Sequence, residues 1–94
     1  MFDPTSDDLA RRGRAHTRLR ELLDSRGPGV LHRHEREQLV DAADALLFNE
    51  TDALERRDAA LDLLDDLVEF SRLEPPAANA VAQALRACGQ TAIR

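Results

Sequence analysis

The sequence has no Trp, Tyr or Lys, a single Cys and a single Met. One cysteine, Cys88, excludes an internal disulfide framework and a cysteine-rich zinc site. Valine and isoleucine are scarce too, with four Val and one Ile against fifteen Leu and fifteen Ala. Residues that suit a pleated sheet are nearly missing while helix formers abound, which predicts an all-α protein. Long apolar runs are also lacking. The longest, Ala45–Phe48, is four residues, against the roughly 20 of a membrane-spanning helix and the roughly 7–15 of a signal-peptide core. No membrane role is expected, and the expected location is the cytoplasm. No catalytic motif is visible either, so neither an enzyme nor a cofactor is expected.

Leu, Ala and Arg dominate what is present. At 94 residues, 43% apolar and 33% charged, the chain suffices for one domain with a small core. All thirteen basic residues are Arg. Together with the Ala content this fits a GC-rich bacterial genome, and it leaves every cation fixed in charge and capable of bidentate contacts. The net charge of −5 is unevenly spread: residues 1–40 hold eight Arg against seven carboxylates, and residues 41–94 hold five against eleven. An acidic protein lacks the cation excess that supplies non-specific affinity for nucleic acid.

Turn signals divide the chain into four helices, predicted at about 6–25, 33–48, 52–72 and 76–88. Thr5 and Ser6 are the expected caps of the first, followed by Asp7 and Asp8 in the turn where the helix dipole favours carboxylates. Gly27-Pro28-Gly29 ends that helix, and Glu74-Pro75-Pro76 separates the third from the fourth. Gly89 is the expected terminator of the fourth helix, leaving 90–94 as a frayed tail. Short connections between four helices imply an antiparallel bundle. The boundary Phe48-Asn49-Glu50-Thr51 contains neither Gly nor Pro, and the apolar faces on either side of it stay nearly in phase. The alternative there is one central helix over 33–72, about 60 Å long, which would expose its stripe and force dimerisation. Asn and Thr compete for backbone hydrogen bonds, which favours a break.

Helical spacing places Leu9, His16, Leu19, Leu22 and Leu23 on one side of the first helix. Arg11, Arg14 and Arg18 line the other side, with Asp7 and Glu21 in ion-pair reach of the row's ends. On the second helix Leu39, Ala43, Leu46 and Leu47 face inward, while Glu37, Asp41 and Asp44 face outward. The third carries a stripe of Leu54, Leu61, Leu64, Leu67 and Val68, which Leu63 and Phe70 widen to nearly half the circumference. Its remaining arc holds Glu55, Asp58, Asp62, Asp65, Asp66 and Glu69 with no positive charge among them. The fourth buries a thinner face of Ala77, Val81, Ala84, Leu85 and Cys88, in which Cys88 reads as a small hydrophobe.

The acidic row predicts a docking surface for a basic partner; a solvated helix face is the plain alternative. A divalent-cation site fits it poorly. Bundle metal sites use inward-facing Glu with a Glu-x-x-His motif, and no His lies on this helix. The Arg11-Arg14-Arg18 row offers cations to an anionic ligand, to nucleic acid or to the acidic row of another chain. His32 and His34 fall on different faces if both are helical, so a zinc site is not expected. His16 reads as a core-edge histidine with one hydrogen bond. Leu63 and Phe70, at the edge of the apolar arc, are the expected apolar interface. The expected function is protein–protein interaction: a regulatory adaptor that binds another protein or pairs with itself as a two-fold homodimer. A nucleic-acid-associated regulator using the arginine row is the second reading, and a helical protein binding a small molecule or metal is the third.

Overall fold

Among the described residues Leu and Ala at helical spacing build four helices: α1 Pro4–Arg26, α2 Arg33–Leu47, α3 Ala53–Glu69 and α4 Pro75–Ala87. The computed structural model describes residues 4–26 and 30–89, with side chains described from Asp8 to Ser25 and from Val30 to Gly89. The Gly27-Pro28-Gly29 turn, the Asp7 side chain and the tail 90–94 lie outside the described residues. No strand occurs among the described residues. α1 and α3 each pack against both α2 and α4, and α2 also touches α4, whereas no contact joins α1 to α3 among the described residues. In cross-section α2 and α4 therefore form the short diagonal of the bundle, and α1 and α3 the long one. Leu19, Leu23, Leu39, Leu64, Leu67, Val81 and Leu85 fill the centre. The buried Ala42 and Ala43 of α2 and Ala78 and Ala84 of α4 keep the short diagonal short.

α1 begins at Pro4, whose fixed φ suits the first helical position. Thr5 and Ser6, expected ahead of the helix as caps, thus lie inside it. At α2, His32 is extended and its N–H donates to the Glu35 carboxylate at 2.8 Å, so a side chain from the first turn caps the helix start.

α2 and α3 end alike. Asn49 has φ 54°, the Glu50 N–H donates to the Ala45 carbonyl at 2.9 Å, and the Asn49 N–H donates to that of Leu46 at 3.3 Å. Ser71 has φ 58°, with Arg72 N–H to Leu67 at 2.8 Å and Ser71 N–H to Val68 at 3.0 Å. Both are Schellman closures, with Asn and Ser in the left-handed position that glycine usually fills. The first breaks the chain between α2 and α3, which excludes the continuous 33–72 helix and the dimer it would have forced. The second ends α3 at Glu69 instead of about 72, because the chain has turned before the proline pair is reached. α4 starts on Pro75 and stops at Ala87. Gly89 owes its place to space, not to its backbone angle: a Cβ there would lie 3.2 Å from Cδ2 of Leu46.

Candidate functional site

Two ionic clusters that the charge pattern did not single out lock the ends of the bundle. Arg12 is 4% exposed. Its guanidinium donates to the carbonyls of Leu46 at 2.7 Å, Leu47 at 2.8 Å and Cys88 at 2.9 Å, and to Oδ1 of Asn49 at 3.1 Å. One cation thereby satisfies the open carbonyls at the C-termini of α2 and α4, where the helix dipoles favour positive charge. Since α1 starts at this end, these contacts also make α1 antiparallel to both neighbours. At the far end Arg72 donates to the two carboxylate oxygens of Glu35 at 2.7 and 2.8 Å and to the Val30 carbonyl at 2.8 Å. The hydrogen bonds from Arg72 outweigh burial and hold the Glu35 carboxyl at about 2. A signal for both residues existed: Arg12 shares a helix face with Leu19 and Leu23, and Glu35 stands one turn before Leu39.

His16 is half-buried and donates from Nε2 to Oδ1 of Asp44 at 2.5 Å. Asp44, expected to face outward, therefore turns toward α1. The rings of His32 and His34 stack with centroids 5.7 Å apart and planes 8° from parallel, because His32 precedes α2 and escapes the helical angle that would separate them. Among the described residues no group of three or more His, Cys, Asp or Glu is placed to hold a metal ion. Cys88 is buried, as its spacing predicts, and Sγ donates to the Ala84 carbonyl at 3.3 Å. Burial pushes its thiol up to about 11, against a smaller opposing pull from Arg12.

The outer surface divides by helix. Glu55, Asp58, Asp62, Asp65, Asp66 and Glu69 are all exposed. At 3.6 residues per turn they fit within an arc of about 100°, facing away from Ala60, Leu64 and Leu67. The arc is less purely acidic than expected, since Arg57 reaches in from its flank to pair with Asp58 at 3.0 Å. Arg56 turns instead to Asp52, at 2.8 Å. The other five carboxylates form no ion pair among the described residues, and the last turn of α3 has no basic side chain. On α1, Arg11, Arg14 and Arg18 are exposed. Arg11 pairs with Asp8 at 2.8 Å. Arg14 and Arg18 rim a shallow depression floored by Ala10, Gly13 and Thr17, with Glu21 at its end. No ion pair joins Arg18 to Glu21 among the described residues. With α1 and α3 at the ends of the long diagonal, the basic and acidic faces point away from each other.

Among the described residues four large apolar side chains are exposed: Phe70 at 71%, Phe48 at 70%, Leu54 at 60% and Leu9 at 54%. Leu9 and Leu54 depart from the core positions their spacing predicts: Leu9 lies before the first buried side chain described on α1, Arg12, and Leu54 lies about 100° round the helix from the buried Ala53. Leu63 packs against the core, so of the two residues expected at the apolar edge only Phe70 is uncovered. Leu54 and Phe70 bracket the acidic arc, about 24 Å apart along α3 at 1.5 Å per residue. A groove of 240 Å³ between α3 and α4 is lined by Leu61, Val68, Pro75, Ala78 and Ala82 among others. No helix among the described residues is long and apolar enough to cross a membrane. No family model, curated protein or solved structure matches this chain.

Proposed function

We propose that the chain is a non-enzymatic protein-interaction module, and that the outer face of α3 docks a basic segment of its partner. One observation carries this reading: α3 bears a charge arrangement that works against its own helix. Asp58 and Asp62, Asp62 and Asp66, and Asp65 and Glu69 are like charges four residues apart, each pair costing a few tenths of a kcal/mol. Asp65, Asp66 and Glu69 also crowd the C-terminal turn, where the helix dipole disfavours anions and no cation offsets them. A basic surface laid over α3 would relieve both penalties. Leu54 and Phe70 at the two ends of the arc supply the apolar anchors that strengthen such a contact. The nucleic-acid reading has less support, because the exposed cations of α1 are few and the opposite face would repel phosphate.

The test is calorimetric titration with a synthetic helical peptide carrying arginines along one face and a leucine near each end. Wild-type protein is expected to bind it in a salt-sensitive way. Leu54→Ala with Phe70→Ala should weaken binding by about tenfold or more. Asp62→Asn with Asp66→Asn should weaken it too while raising the melting temperature of the free protein. Binding that ignores all four substitutions, or no binding at low salt, would overturn the proposal.

A further inference from the structure

Resting on that reading of α3, we infer that the basic segment it accepts is α1 of a second copy of this chain, and that copies join head to tail. The outer face of α1 is shaped for a helix. Gly13 has nothing within 4 Å of where a Cβ would stand, and with Ala10 and Thr17 it makes a floor low enough for another helix to approach closely. Arg14 and Arg18 rise beside that floor and form no ion pair among the described residues. They stand four residues apart, the same single-turn spacing as Asp58 and Asp62, Asp62 and Asp66, and Asp65 and Glu69 on α3. Cations and carboxylates therefore meet in register when α1 of one copy lies along α3 of another. Glu21, at the end of the basic depression, limits the match to the stretch around Arg14 and Arg18.

The fold also decides how such copies connect. A two-fold interface brings the same patch of both copies together, so it could pair α1 with α3 twice only if both helices shared one side of the molecule. They occupy the ends of the long diagonal instead. Each copy thus offers α1 to one neighbour and α3 to another, and the contact propagates instead of closing on a symmetric pair.

Analytical ultracentrifugation of the full chain tests this. At low salt the average mass should climb past twice 10.5 kDa as concentration rises, with no plateau at two chains. Raising ionic strength from about 0.01 M to about 1 M, which shortens the screening length from about 30 Å to about 3 Å, should return it to single chains. Arg14→Glu with Arg18→Glu, and separately Asp62→Arg with Asp66→Arg, should each abolish association. An equimolar mixture of these two variants should restore it, since the acidic α1 of one meets the basic α3 of the other. A wild type that stays at single-chain mass, or stops at two chains, overturns the proposal without relying on any variant. Single chains that are instead retained on duplex DNA through Arg14 and Arg18 overturn it in favour of the nucleic-acid reading. If single chains still bind the arginine peptide, α3 remains a docking face and only the identity of the second copy is rejected; if neither occurs, both readings fall.

Discussion

Protonating Glu35 removes the charge that pairs with Arg72, costs one of its two bonds to that guanidinium, and weakens the other together with the cap on the His32 N–H. The carboxyl sits at about 2 in the folded protein against an ordinary 4.5. Because its folded value is depressed, its contribution to stability is complete above 4.5, falls away as pH drops through the interval, and is gone below about 2. Urea denaturation across this window should show the wild-type midpoint falling more steeply than that of Glu35→Gln, which starts lower at neutral pH. Parallel declines would show that the carboxylate is not so held. Burial of Glu35 was legible from its place one turn before Leu39, as that of Arg12 was from its place beside Leu19 and Leu23. Their partners were not. Arg12 bonds to backbone carbonyls at residues 46, 47 and 88, and a carbonyl becomes an open acceptor only once a helix ends there. No side-chain pattern records that.

The helices themselves were readable from apolar spacing, and their existence, order and approximate lengths follow from it. Their ends were less so. Asn49 and Ser71 perform the left-handed closure without glycine, so the usual stop signal is absent. This makes a direct comparison available. Ser71 is exposed and its backbone is strained in a region that glycine occupies freely. Ser71→Gly should stabilise the protein by up to about 1 kcal/mol, which at this size corresponds to roughly 4–8 °C in melting temperature. Asn49→Gly relieves less strain, since asparagine tolerates the left-handed region, and deletes the amide oxygen that accepts from Arg12, so its melting temperature should rise by less or fall. Calorimetry on both variants decides; a lower melting temperature for Ser71→Gly would show that the serine side chain, not the turn, holds this corner. Leu9 and Leu54 illustrate a related limit: an apolar residue at the edge of a stripe reads as core from its spacing, and whether it is covered depends on where the neighbouring helices lie.

Across the whole molecule, which helix lies beside which is not written in any one helix's periodicity. Four apolar stripes could pack in several orders, and the opposition of the basic and acidic faces follows only from α1 and α3 taking the long diagonal. Arg12 depends on that assembly as well. Its acceptors are 34, 35 and 76 residues away in sequence, so the guanidinium finds them only after α1, α2 and α4 have met, and until then it stays in water. Its bonds are therefore expected to form after the folding barrier has been crossed. Arg12→Met, losing charged hydrogen bonds worth about 3 kcal/mol in all, should leave the refolding rate nearly unchanged and speed unfolding by about a hundredfold. Stopped-flow measurements of both limbs would show this, and slower refolding with an unaltered unfolding limb would contradict it. On the expected outcome, the lifetime of the native chain, as distinct from the ease with which it forms, is set at the meeting point of two helix ends.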